Sequence, residues 1–403
     1  MKKIYFHVLF MYLGMFGAYA QTSPIAAKSD SSSYQSRKLK IDEVNLVSAY
    51  YNQNGNNSAV TGGIGTEKLS DFANTIDLQM SRFNKHGKKN TFLFELGIDH
   101  YTSASSDKID PSTISSASSA DTRIYPSLNW THSNEQTGNS FGFTGSYSTE
   151  FDYQSLGAAF NLTRLSKDKN TQFDFKLQAF LDQWTVILPV ELRTGNTGRG
   201  GEQYDTAPRN SFSTSFSLSQ VINKNFQAAL IIEPSYQHGL LATKYQRDYF
   251  TDGSLRAETL PDKRYKLPIA LRMNYFLGDR FVIRSFYRYY MDNWGIRAHT
   301  AELEIPVKVN SFFSISPFYR YNNQTGTRYF AAYGQHDPSA QYFTSDYDLS
   351  TLNSDFYGIG IRLSPPKGVL GWQRLNMLEI RYGHYSRSTG LASNIVSLNL
   401  KFK

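Results

Sequence analysis

The sequence predicts an all-β fold, an antiparallel transmembrane β-barrel of roughly sixteen strands, with an uncertainty of about two either way. Three features predict it: an export signal at the start, a two-residue alternation of apolar and polar side chains, and connections that swing between short and long. Composition agrees. Phe, Tyr and Trp make up 15% of 403 residues, with 28 Tyr and 28 Phe, although the chain is polar on average. A lipid-facing barrel spends such aromatics on its outer band and interfacial girdles rather than in a core.

Taken in order, Lys2 and Lys3 form a basic head, residues 4–16 an apolar stretch, and Ala18-Tyr19-Ala20 a small-x-small cleavage site, so 1–20 reads as a signal peptide. Removing it lowers the basic count from 42 to 40 against 34 acidic groups, a net charge of +6. That mild balance predicts no nucleic-acid partner. There is no cysteine, hence no lipid-anchoring thiol and no disulfide, although an exported chain could carry one. Residues 21–37, Ser-rich over 29–36, read as a flexible periplasmic tail. With a first strand expected near Lys38, the barrel occupies 38–403 and no N-terminal plug domain precedes it.

No apolar run after the signal approaches the ~20 residues of a transmembrane helix. Strands must then do the spanning, and they can do so only as a closed barrel, because the bilayer core offers unpaired backbone groups no water. Along 140–152, Phe141, Phe143, Tyr147, Thr149 and Phe151 alternate with Ser140, Thr144, Ser146, Ser148, Glu150 and Asp152. The same beat returns in Phe212, Phe216 and Leu218 against intervening serines, and in Phe226, Leu230, Ile232 and Tyr236 against Gln227, Glu233 and Gln237.

Tight polar turns at 84–89, 134–138, 167–170, 223–225, 278–280 and Asn310 have hairpin chemistry and are expected at the periplasmic end. Longer loops at 54–70, 103–121, 186–210, 241–264 and 324–354 are expected outside the cell. The last strand places Val396, Leu398, Leu400 and Phe402 on one face, with Ile395, Ser397, Asn399 and Lys401 on the other. It resembles the closing strand that barrel-assembly machinery recognises, with Phe402 as the terminal aromatic, or else an edge strand that happens to end in Phe.

The stretch Ser115-Ser116-Ala117-Ser118-Ser119-Ala120-Asp121-Thr122-Arg123-Ile124-Tyr125-Pro126-Ser127-Leu128-Asn129-Trp130 and the opening Tyr34-Gln35-Ser36-Arg37-Lys38-Leu39 resemble an outer-membrane family of unknown function from bacteroidete-type bacteria. The resemblance implies a barrel in the cell outer membrane and no assigned activity. It also implies an association with envelope redox proteins, thioredoxin-like and flavin-transfer, that no residue here displays.

With the apolar face toward lipid, the other face lines the lumen. Earlier strands contribute an acidic wall of Asp77, Glu95, Asp99, Glu150, Asp152 and Asp174, relieved by Lys176. Later strands contribute a basic wall of Arg272, Arg284, Arg288, Arg320, Arg362 and Arg381, with Glu302, Glu304 and Glu379 among them. Opposed walls would orient polar solutes and tune ion selectivity, which predicts a porin-like channel for small polar solutes. Alternatively, Arg and acid pair across the lumen and fill it, leaving a receptor or scaffold that works through its outer loops. The loop aromatics Tyr329, Phe330, Tyr333, Tyr342, Phe343 and Tyr347 could stack on sugars, constrict a pore, or pack the loop onto the rim. Gly195, Gly198, Gly200 and Gly201 lack the lysine of a phosphate loop. His100, His132, His299 and His384, the last near Ser386, carry no nucleophile motif, so a barrel hydrolase is the weakest reading. No cofactor and no metal site is expected, and the expected partners are outer-membrane lipid, the assembly machinery and a small solute.

Overall fold

The computed structural model describes residues 38–102, 120–193 and 205–403. The expected signal and tail (1–20 and 21–37), most of the 103–121 loop and the four glycines between 195 and 201 lie outside the described residues. Twenty strands follow in order among those described. They are β1 (Lys40–Asn54), β2 (Leu69–Phe83), β3 (Lys89–Tyr101), β4 (Asp121–Asn134), β5 (Asn139–Glu150), β6 (Tyr153–Leu165), β7 (Thr171–Thr185), β8 (Thr206–Asn223), β9 (Phe226–Ile232) and β10 (Ser235–Gly239). Next come β11 (Arg247–Tyr249), β12 (Leu255–Ala257), β13 (Lys263–Leu277), β14 (Phe281–Asp292), β15 (Arg297–Glu304), β16 (Val307–Asn310), β17 (Phe313–Gln324), β18 (Leu352–Leu363), β19 (Leu375–Arg387) and β20 (Ala392–Phe402).

All but the β11–β12 hairpin join one antiparallel sheet. β9 and β10 share the neighbours β8 and β13, and β15 and β16 share β14 and β17, so the eighteen strands make sixteen walls. Each break sits at a proline, Pro234 or Pro306, which has no N–H to give a ladder. Their carbonyls still accept, Pro234 from Thr214 N and Pro306 from Val282 N, so the wall continues. The sheet closes where β1 meets β20, from Val44 opposite Phe402 to Asn54 opposite Ala392. β20 is therefore flanked on both sides rather than an edge, and closure leaves no strand unpaired, as a bilayer requires.

The alternation sorts the two faces. Phe72, Leu128, Leu156, Leu177 and Leu218 are each half exposed or more, while neighbours one step along, such as Ala73 and Ser155, are buried. Trp130, Phe143, Phe160, Phe175 and Phe216 touch in sequence across β4 to β8, at centroid distances of 5.2 to 6.5 Å. This is a girdle segment of the membrane-spanning type. Inside, small residues are covered by rings from the next strand: Tyr125 lies over Gly97 and Phe180 over Gly157, so closely that an added Cβ would meet the ring at 1.9 or 2.7 Å.

The expected turns all occur between strands, but the alternation of lengths is not strict. β5 stops at Glu150, and Phe151 and Asp152 form the whole connection to β6 rather than extending the strand. β14–β15 and β19–β20 are likewise joined briefly at the loop end, and the 364–374 connection, with Pro365 and Pro366, is a long one at the turn end. Short loops there match neighbours that sit side by side, which length alone in the sequence does not reveal.

Candidate functional site

The inward-pointing positions of β1 to β20 enclose a cavity of about 660 Å³. Its lining runs nearly right round the barrel, through β1 to β8, β10, β13, β14, β18, β19 and β20. Asp99 and Glu150 of the expected acidic wall, and Arg288 and Arg381 of the expected basic wall, line it together with Lys176. So do four charged residues not singled out in the sequence, Asp71, Arg123, Asp182 and Lys266. Strand parity could have found three of them, because Asp71 shares a face with Asp77, Asp182 with Asp174 and Lys266 with Arg272.

Tyrosines dominate the acidic side. Tyr125 donates to Asp99 at 2.9 Å, Tyr101 to Glu150 at 2.5 Å, and Tyr153 and Ser155 to Asp182. Asp77 stands directly opposite Glu95 in the β2–β3 register. Asp174, nearer the turn end, accepts from Thr163 and Gln172. Asp152, in the two-residue β5–β6 connection, is buried.

The arginines form ion pairs along their own side of the tube. Arg284 pairs with Glu304 at 3.2 Å, Arg320 with Glu302 at 2.7 Å, Arg362 with Glu379 at 2.6 Å, and Arg381 bridges Glu304 and Glu379 at 3.0 and 3.3 Å. These glutamates belong to β15 or β19, on the same side of the barrel as the arginines, whereas the alternative reading had Arg pair with the acidic wall across the lumen. Neighbouring strands stand ~5 Å apart, which brings Glu304, Glu302 and Glu379 within reach of Arg284, Arg320 and Arg362 one strand away, while Arg381 of β19 reaches along the same side, past β18 and β17, to Glu304 of β15. Arg272 stands in β13 opposite Phe286, outside this network. Six arginines among three glutamates leave this side positive.

Above the cavity the loops interlock into a cap. Arg247 donates to Val60 O at 3.1 Å and forks onto Glu191, tying three loops together. Ala242, Leu260, Trp294, Ile296 and Leu349 form its small core. The loop aromatics pack inside this cap: Tyr329 against Trp294 and Tyr342, Phe330 against Tyr347, Tyr333 against Tyr249, and Phe343 against Phe250 and His336.

The cap also buries acids that the sequence did not mark. Glu67, Asp248 and Glu258 are nearly fully buried. Burial pushes the Glu67 carboxyl up to about 8, with Asp348 close by, and burial likewise pushes Glu258 up to about 8, with Asp248 beside it. Glu258 accepts from Thr344 Oγ1 and the Thr243 N–H. Arg387, rising from β19, pairs with Asp348 and lies 3.9 Å from Glu67. Their loops are far apart in the sequence, so no local motif signals the cluster.

The histidines near the strand ends hydrogen-bond to ordinary polar neighbours: His100 to Thr122, His132 to Asn90, His299 to Tyr287 and His384 to Asn394. Among the described residues no group of His, Asp and Glu is arranged to hold a metal ion, and no helix is long and apolar enough to cross a membrane. Phe402 rests edge-on against Trp372 at 5.5 Å.

No curated protein matches the chain. Among solved structures, Acinetobacter baumannii OccAB3 overlaps with a TM-score of 0.38 at 9% identity, over 90% of this chain and 99% of that one. Pseudomonas aeruginosa OpdK with vanillate overlaps at 0.41 and 8% identity, over 92% and 100%. The siderophore receptor PirA from Acinetobacter baumannii overlaps at 0.44 and 11% identity, over 85% of this chain and 53% of that one. Superpositions this loose do not bear on what the present barrel carries. One family model matches residues 96–388, well over half the chain, and the protein belongs to the family it describes, the proteins of unknown function DUF3570.

Proposed function

We propose that this chain is a channel of the Gram-negative outer membrane, passing small polar solutes by passive or facilitated diffusion. The observation that carries the reading is the charged, roughly 660 Å³ cavity inside sixteen walls, with its arginines paired along one side rather than across the tube. Pairing along the wall leaves the acidic and basic sides apart, and a barrel of this strand number has room for an aqueous lumen. Such a transverse field orients a polar solute as it passes. Phe402, at the end of the closing strand, is in this reading the mark taken up by barrel-assembly machinery.

A second reading rests on the cap. Loops tied by Arg247 and filled by Trp294 and Leu349 present a formed outer surface, which suits a receptor or scaffold that conducts nothing. Single-channel recording of the purified protein in a planar bilayer separates the two. Steady stepwise currents support the channel. A silent bilayer, with heat-modifiable gel mobility showing a folded barrel, would sink it and leave the cap as the working surface.

A further inference from the structure

Four neighbouring strands of the lining carry hydrogen-bond donors in one row. In the β7–β8 register Gln178 stands opposite Ser213, in β8–β10 Ser213 stands opposite Ser235, and in β10–β13 Ser235 stands opposite Lys266. All four line the cavity, so the row points inward. Residues directly opposite on an antiparallel pair have Cβ atoms ~5 Å apart, which makes Lys266, Ser235 and Ser213 successive neighbours. Lys176, also on the lining, stands opposite Ser215 on β8 and thus diagonally beside Ser213, ~7–8 Å away and within the span of its four-carbon stem. The two lysines therefore flank the serines on one arc of the barrel.

Among the described residues Lys266 forms no hydrogen bond or ion pair, and the side chains of Ser213, Ser235 and Gln178 form no hydrogen bond. The acids around them are engaged. Asp292, opposite Lys266 on β14, is held by Arg264, Tyr290 and the N–H groups of Trp294 and Ile296. Asp182 stands opposite Arg209 and accepts from Tyr153 and Ser155. Glu233 accepts from Ser215 at 3.0 Å and lies close to both Lys176 and Arg288. Asp71 is out of reach, since β2 is the second wall and β13 the tenth of sixteen, across the full width of the lumen. With Asp292 and Asp182 balanced by Arg264 and Arg209, the cations Lys176, Lys266 and Arg288 exceed Glu233 by two charges. Each hydroxyl and carboxamide can donate to an anion, and an ammonium can donate three times. Such a wall suits an oxyanion with two charges and several acceptor oxygens. The cavity of about 660 Å³ leaves room beside it for a small organic group.

We propose that this arc binds a phosphate-type oxyanion, free or as the monoester of a small solute, between Lys266 and Lys176 and on the hydroxyls of Ser213 and Ser235. This deepens the channel reading by naming a solute class, yet the site can be tested without conduction.

Equilibrium dialysis of the purified full-length barrel in detergent micelles, at constant ionic strength and about pH 8, where phosphate carries close to two charges, measures binding of inorganic phosphate, glycerol 2-phosphate and acetate. Phosphate should bind saturably and about tenfold tighter than acetate. Lys266→Gln should weaken phosphate binding about tenfold, and Ser213→Ala with Ser235→Ala about fivefold. Lys224→Gln removes the same charge from the exposed turn between β8 and β9 and should leave binding unchanged. Glycerol 2-phosphate bound as tightly as phosphate assigns the site to monoesters too, and its exclusion assigns the site to the free ion. Acetate bound as tightly as phosphate, equal losses in Lys266→Gln and Lys224→Gln, or no saturable phosphate binding by wild-type protein of heat-modifiable mobility would overturn the proposal. Saturable binding in a barrel that is silent in the bilayer keeps the site and removes conduction. Stepwise currents without phosphate binding keep the channel and remove the site.

Discussion

Arg381 shows how much a single side chain can hold in this lumen. Its guanidinium bridges Glu304 and Glu379, both nearly buried, from a position that is itself 13% exposed. Removing it leaves two carboxylates facing each other without the shared cation. Arg381→Ala should therefore lower stability by about 3 kcal/mol, read from the urea midpoint in liposomes, whereas Arg381→Lys should recover part of the loss. An unchanged midpoint for the alanine variant would mean that lumen water already solvates both acids. In the cap, Glu67 and Glu258 behave differently because burial holds both carboxyls near 8, above their ordinary 4.5. The closed cap then binds protons that an opened cap releases. Its stability is highest below about pH 4.5, falls as pH rises toward 8, and is level above that. Amide protection factors over residues 325–351 should drop between about pH 5 and about pH 9, and Glu67→Gln with Glu258→Gln should flatten the drop. Protection factors that stay constant in the wild type would contradict this.

At the scale of a strand, the two faces carry different rules. Leu177 lies near the middle of β7 on the lipid side, with half its surface exposed, while its neighbour Lys176 lines the cavity. Leu177→Arg should cost about 2–4 kcal/mol, because a cation at mid-bilayer depth loses its water. Ser215→Arg, one strand away on the inner face, should cost far less. Urea unfolding of the two variants in liposomes would show the asymmetry, and equal penalties would argue that the faces are assigned the wrong way round. Strand interiors also explain the proline breaks: Pro234 and Pro306 each end one short strand and let the next begin on the same wall, so the barrel keeps sixteen walls with eighteen strands.

For the whole molecule, what matters is how charge is spread around the tube. Arg288 lines the cavity on the basic side and lies close to the positively charged Arg320. In a conducting barrel, Arg288→Gln should move the reversal potential under a salt gradient toward greater cation preference. Arg284→Gln should do so less, since it also frees the charge of Glu304. A reversal potential identical to wild type in both variants would show that the conducting path does not pass this wall.

Much of this was legible in the residues themselves. Alternation along Phe141 to Glu150 and the turns at Asn84, Asn134 and Asn223 depend on a strand's own two-residue period and on local turn chemistry, so they announced an all-β chain and which side chains share a face. The misplacement of Phe151 and Asp152 came from the same source, for a two-residue connection continues the beat of the strand before it. What the residues could not announce is who meets whom. Arg381 and Glu304 are 77 positions apart, Asn57 and Thr389 are 332 apart, and Asp71 faces Lys266 only once β1 has closed on β20. Period and turn preference are properties of short segments, whereas register, the interlocked cap and the diametric placement of charges arise from hydrogen bonds between distant segments, and those exist only in the closed barrel.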